Sequence, residues 1–253
     1  MTPAPFIWYD LVTTDMDAAT RFYSSVIGWS IADSGMPGMT YSVLKASGAM
    51  VGGMMGMPAG FDVPPMWNGY VYSADVDADT ARAVALGGKE RSAPNDIPGV
   101  GRFSIIADPH GALIHLFKPS TSETPAKTDP FTPGHVGWRE LHAGDLDEAW
   151  AFYSALLGWS KSEAMEMPGM GTYQMFVIGP DGMAGGMMTK APTDPAPPHW
   201  NYYFNVASID AAVQRIKELG GEILQGPDEV PGGMWSVNAR DPQGAMFSIV
   251  GNT

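Results

Sequence analysis

The chain has 253 residues, enough for two domains of ordinary size, each burying a core. A net charge of -13 would repel phosphate backbones and anionic membrane surfaces, so neither a nucleic-acid nor a membrane partner is expected. The absence of cysteine excludes disulfides, thiolate metal sites and thiol nucleophiles, and 45% hydrophobic with 16% charged residues is a globular balance.

In chain order, the first alternating run puts Trp8, Asp10 and Val12 on one strand face and Tyr9 and Leu11 on the other. Asp15 opens a helix that runs to Gly28, with the aspartate as N-cap and the glycine as stop. Short strands follow at Thr40–Leu44 and Ala49–Met54. Asn68, Tyr70 and Tyr72 share a face of the next strand, a second helix spans Asp75 to Gly88, and strands return at Arg102–Ala107 and Ala112–Phe117. Residues 119–133, rich in Ser, Thr and Pro, read as a linker. After it the pattern repeats. Trp138-Arg139-Glu140-Leu141 answers Trp8-Tyr9-Asp10-Leu11, Phe152-Tyr153 answers Phe22-Tyr23, and Gly185-Gly186-Met187-Met188 answers Gly52-Gly53-Met54-Met55. Helices are predicted from Asp145 to Gly158 and from Ser208 to Gly221, with Asn201, Tyr203 and Asn205 on one face of the strand between them. Asp241-Pro242-Gln243-Gly244 closes the second copy as Asp108-Pro109-His110-Gly111 closes the first.

The fold class predicted is α+β: a tandem duplication of paired β-α-β-β-β modules forming two half-barrel domains, residues 1–118 and 134–253. The arrangement is an internal pseudo-dimer, and monomer and homodimer both stay open. No signal-peptide pattern and no membrane-length apolar run occurs in the sequence, so the cytoplasm is the expected compartment.

A duplicated β-α-β-β-β module carrying Asp15…Phe22-Tyr23…Gly28-Trp29 and the closing Asp-Pro-x-Gly turns resembles the vicinal oxygen chelate superfamily, which includes glyoxalase I, bleomycin-resistance proteins and extradiol dioxygenases. The resemblance covers essentially the whole chain. It implies a concave sheet face that holds a ligand and, in the enzymes, a divalent metal bound from the first, fourth, fifth and eighth strands. Carried over by motif, those positions are Trp8, Gly52-Gly53, Asn68 and His115 in the first half, and Trp138, Gly185-Gly186, Asn201 and Ser248 in the second. Trp and Gly offer no side-chain ligand and Asn and Ser are poor ones for a transition metal, so no metal and no cofactor are expected. His115 is the one good ligand left.

The candidate ligand-binding residues are therefore Trp8, Asp10, Asn68, Tyr70, His115, Trp138, Glu140, Asn201, Tyr203 and Ser248, with a small molecule as partner. Trp8 and Trp138 read either as platforms for a flat ligand or as filler for space a metal vacated. Asp10 and Glu140 read either as a general base or ligand anchor, or as structural carboxylates bonded to Asn68 or Asn201. His142, where the first half has Val12, is either an acid–base partner of Glu140 or a solvated strand-end histidine; His199, where the first half has Met66, reads as loop variation. Asp10, Asn68 and His115 are expected to exchange hydrogen bonds. The functional expectation is a metal-free binder of an apolar or aromatic compound, with a metal-dependent lyase or dioxygenase, or a metal-free enzyme using Asp10 or Glu140, as the alternative.

Overall fold

A computed structural model describes residues 2–36, 38–58, 60, 63–121, 129 and 131–253. Of the predicted linker, residues 122–128 and 130 lie outside the described residues.

Four β-α-β-β-β modules follow one another. The first is β1 (Phe6–Thr13), α1 (Met16–Val26), β2 (Ser30–Asp33), β3 (Tyr41–Ala46) and β4 (Ala49–Gly56). The second is β5 (Met66–Tyr72), α2 (Val76–Ala85), β6 (Lys89–Ile97), β7 (Gly101–Ala107) and β8 (Leu113–Pro119). The third is β9 (Val136–Ala143), α3 (Leu146–Leu157), β10 (Ser160–Met167), β11 (Gly171–Val177) and β12 (Met183–Thr189). The fourth is β13 (His199–Val206), α4 (Ile209–Glu218), β14 (Glu222–Val230), β15 (Met234–Arg240) and β16 (Met246–Gly251). They build two eight-stranded sheets, ordered β2-β3-β4-β1-β5-β8-β7-β6 and β10-β11-β12-β9-β13-β16-β15-β14. This is the α+β half-barrel architecture expected of the duplication.

All four predicted caps form. Asp15, Asp75, Asp145 and Ser208 accept from the backbone N–H of Ala18, Ala78, Glu148 and Ala211 at 2.9, 3.1, 2.9 and 3.3 Å. Two stops differ from the sequence reading. The left-handed residues after α2 and α4 are Gly87 (φ 94) and Gly220 (φ 82), not Gly88 and Gly221. The second glycine of each pair serves packing: a Cβ on Gly88 would sit 2.8 Å from Phe152, and one on Gly221 2.9 Å from Phe22.

That close approach crosses from one half of the sequence to the other. The chain divides into two compact units, Met1–Ile7, Gly69–Ala126 and Arg139–Trp200 on one side, Trp8–Asn68, Lys127–Trp138 and Asn201–Thr253 on the other. The predicted boundaries follow the duplication, whereas the units follow helix packing. α2 meets α3 in the first unit, and α1 meets α4 in the second.

The repeated motifs lock each unit. In one, the Tyr23 hydroxyl donates to Asp241 Oδ2 at 3.0 Å and accepts from the Trp67 indole at 3.0 Å. In the other, Tyr153 donates to Asp108 Oδ2 at 3.3 Å and accepts from Trp200 at 3.0 Å. Each aspartate turns its other oxygen to the backbone N–H groups of its own Asp-Pro-x-Gly-Ala turn. So the Phe-Tyr and Asp-Pro motifs are partners across the halves, and every buried donor in the network has an acceptor. Trp29 and Trp159 are buried and donate to Gly134 O and Ala4 O, both at 2.8 Å.

Candidate functional site

On β1 the alternation holds: Leu11 is fully buried on the helix side and Asp10 points to the opposite face. Asp10 is nonetheless only 6% exposed, so its charge needs donors. They come from Trp8 and Tyr41, not from Asn68 or Asn201 as the sequence reading allowed. The Trp8 indole and the Tyr41 hydroxyl donate to Asp10 Oδ1 at 2.8 and 2.7 Å, and Trp8 also reaches the Tyr41 oxygen at 2.8 Å. Burial, and then the charge of Asp10, push the Tyr41 phenol up, which keeps it a donor.

Tyr41 was missed in the sequence, and the reason it reaches Asp10 is Gly53. Gly53 is the β4 register partner of Asp10, and a Cβ there would fall 1.8 Å from the Tyr41 hydroxyl oxygen and 2.6 Å from Asp10 Oδ1. The tyrosine ring therefore lies across the glycine. The second half repeats the device: Tyr173 donates to Glu140 Oε2 at 2.8 Å, Gly186 is the register partner of Glu140, and a Cβ on Gly186 would lie 2.2 Å from Tyr173 Cζ. The readable signal was Thr40-Tyr41 recurring as Thr172-Tyr173 within the duplication.

The remaining predicted residues fall into separate groups. Asn68 lies in the unit of Trp8 and Asp10 and is buried at 8%. Tyr70 and His115 are register partners on β5 and β8 of the other unit, with rings edge to face at 4.4 Å. The expected hydrogen bond from His115 is not made: its Nδ1 is buried with no partner, and burial pushes the imidazole down to about 3. Asn201 donates to Ser248 Oγ at 2.7 Å, which donates to Asn238 Oδ1 at 2.6 Å; Tyr203, the register partner of Ser248, is buried beside them. Trp138 is half-buried on β9. Two open surface depressions, one at Asp145, Lys161 and Thr189 and one at Asp96, Arg102 and Lys118, include none of the ten candidates.

Glu140 holds a further partner. His142 Nε2 lies 2.9 Å from Glu140 Oε1, and the His142 ring stacks on His199, centroids 4.8 Å apart and planes 2° from parallel. The reading of His142 as a solvated strand-end residue and of His199 as loop variation is therefore corrected: His199 opens β13 and faces His142.

A metal does not fit the positions the fold would use. The Tyr41 hydroxyl and the Tyr173 ring stand where a fourth-strand side chain would begin, Trp8 and Trp138 occupy the first-strand positions, and Ser248 is committed between two amides. Among the described residues no group of three or more His, Cys, Asp or Glu is placed to hold a metal ion.

A sheet of paired β-α-β-β-β modules with candidate residues on its inner strands defines the half-barrel class. The sequence model of the Glyoxalase/Bleomycin resistance protein/Dioxygenase superfamily matches residues 6–116 and 132–249, and the chain belongs to that superfamily. The chain is 36% identical over 248 residues, 96% of its own length and 93% of the relative's, to the protein named "Putative glyoxylase CFP32" in Mycobacterium bovis. It is 31% identical to the anthracycline biosynthesis protein DauV of Streptomyces sp. strain C5, covering 98% of this chain and 93% of the relative. Among solved structures it shares its fold with the 2,3-dioxygenase LapB of Pseudomonas sp. KL28, at a TM-score of 0.69 and 14% identity, over 100% of this chain and 93% of that one.

Proposed function

We propose that the chain binds an apolar or aromatic small molecule without a metal. The observation that carries the reading is the pair of tyrosines lying across Gly53 and Gly186, which exchanges a metal-ligand position for a Tyr–carboxylate hydrogen bond in both halves. Aromatic rings at Trp8, Tyr41, Tyr70 and Tyr173 suit a flat ligand. The relatives named for anthracycline biosynthesis support a polycyclic aromatic one.

Two measurements test it. Protein purified without chelator and supplied with zinc, manganese and iron should contain no stoichiometric metal by elemental analysis. Calorimetric titration with a hydroxyanthraquinone should show saturable binding that survives chelator. One metal per chain, lost on His115→Ala, would reverse the reading in favour of a metal-dependent lyase or dioxygenase.

A further inference from the structure

The two halves differ in chemistry on β1 and β5 and their counterparts β9 and β13. Asp10, Val12 and Met66 of the first half stand where the second has Glu140, His142 and His199. All three second-half residues lie in one compact unit, and they touch. The first half folds with an aliphatic residue and a methionine at the equivalent positions, so the architecture itself requires neither histidine.

The hydrogen-bond inventory fixes the tautomers. A carboxylate only accepts, so His142 Nε2, 2.9 Å from Glu140 Oε1, carries a hydrogen. A carbonyl oxygen only accepts, so His199 Nδ1, 2.9 Å from Pro197 O, carries one too. The open ring nitrogens are then His142 Nδ1 and His199 Nε2. Neither has a hydrogen-bond partner among the described residues. Both present lone pairs, and a site of acceptors selects a donor.

The stack takes one extra proton, because two cationic rings 4.8 Å apart repel. Geometry and charge place it on His142. Burial works against it there, but the hydrogen bond and charge of Glu140, with Asp194, outweigh burial and Lys190, so its pKa rises. Burial, and then the charge of His142, push His199 down. Parallel rings direct their lone pairs side by side rather than to one point, which is poor geometry for a shared metal.

We infer that Glu140, His142 and His199 form a proton-accepting site for the acidic hydroxyl of a phenol or enol. The inference rests on the small-molecule-binding reading and names the class of ligand group. On binding, the ligand O–H bond breaks, its electron pair stays on oxygen, and an N–H bond forms at His142 Nδ1. The product is a phenolate or enolate facing an imidazolium whose second N–H is held by Glu140, itself held by Tyr173. His199 stays neutral, flanking the charged ring. A ligand without an acidic hydroxyl, such as a phenol ether, supplies no proton and leaves His142 neutral.

The test uses para-nitrophenol and its methyl ether, para-nitroanisole, with calorimetry reporting binding and absorbance reporting the phenolate. Both should bind the intact protein. Bound nitrophenol should ionise at least ten times more readily than free nitrophenol at the same pH. His142→Gln, and the double change His142→Val with His199→Met that installs the first-half residues, should abolish that shift. His110→Gln, at an exposed contact with Glu148, should leave it unchanged. Nitrophenol that binds as the neutral phenol, or an unchanged shift in the double variant, overturns this inference alone. Failure of both compounds to bind overturns the small-molecule reading with it. Independently of any variant, the His142 ring resonances in NMR should move to the protonated position as nitrophenol saturates the protein; rings that do not respond overturn the inference.

Discussion

Gly53→Ala is the sharpest probe of how the first-half carboxylate is held. In a strand interior this change would ordinarily stabilise, by about 0.4–1 kcal/mol, because alanine restricts the unfolded chain. Here the new methyl would fall 1.8 Å from the Tyr41 hydroxyl oxygen and 2.6 Å from Asp10 Oδ1. Carbon contacts settle at roughly 3.5–4.0 Å, so the tyrosine must swing away. Asp10 then keeps Trp8 but loses its 2.7 Å bond from Tyr41. A hydrogen bond to a charged group contributes about 1.5–3 kcal/mol and overpacking costs about 1–3 kcal/mol, which makes the expected loss roughly 3–5 kcal/mol. For a chain of this size that lowers Tm by about 2–4 °C per kcal/mol, readable by circular dichroism. The cycle with Tyr41→Ala isolates the cause: in that background Gly53→Ala should cost at least about 1 kcal/mol less, since most of the clash is gone. Gly28→Ala is the control. It meets nothing within 4 Å and its cost comes from a φ of 89°, so it should be indifferent to Tyr41. A stable Gly53→Ala protein, or equal costs with and without Tyr41, refutes the steric account.

Gly186→Ala should behave as Gly53→Ala does, with the coupling now to Tyr173, and a melting series on both variants checks it. Tyr23→Phe and Tyr153→Phe should each cost about 2–3 kcal/mol in urea unfolding, because each strands a buried indole N–H and an aspartate oxygen, and near-equal losses are expected from the matched geometry. His115→Phe should remove part of the acid sensitivity. The folded imidazole titrates near 3 and the unfolded one near 6.5, so the unfolded chain takes up the proton first; stability is full above about 6.5 and falls by several kcal/mol as pH drops toward 3. Asp108 and Asp241, raised by burial, act in the opposite sense and cancel in the difference between wild type and variant. An identical pH–stability curve for His115→Phe would show that the imidazole is solvated.

The fold was legible because its signals are local and written four times. Asp15, Asp75, Asp145 and Ser208 are caps by chemistry alone, and period-two alternation put Asp10 and Glu140 on the face opposite Leu11 and Leu141. The helix stops at Gly87 and Gly220 were misplaced by one residue because each sits in a Gly-Gly pair, and only the packing of Phe152 and Phe22 tells the turn glycine from the contact glycine. The carboxylate environments were not legible, for a related reason. Gly53 and Gly186 looked like lost ligands; their role is the space they leave for a tyrosine from the neighbouring strand, and a missing side chain carries no sequence signature of what fills it. Likewise the partnership of His142 with His199 joins two strands 57 positions apart in sequence (199 − 142), which no periodicity connects.

The duplication supplies its own comparison between structure and function. Asp10 and Glu140, Tyr41 and Tyr173, Gly53 and Gly186 differ by at most a methylene, and each set satisfies a buried charge at the same point of the sheet. A feature present in both copies with matching geometry is accounted for by what the two halves share, the sheet and the face it presents. Where the copies differ, that account stops. Ser248 is absorbed into an amide–hydroxyl–amide chain, whereas His115, its counterpart, buries a ring nitrogen with no partner, a cost of about 1–3 kcal/mol. Val12 and Met66 serve the first half as ordinary apolar residues, whereas their counterparts His142 and His199 bring two titratable rings into partial burial. Desolvating those rings opposes folding, and the first half folds without them. Glu140 and the ring stack offset part of that cost, and on the proposal above a ligand that brings a proton on oxygen to the open acceptors offsets the rest.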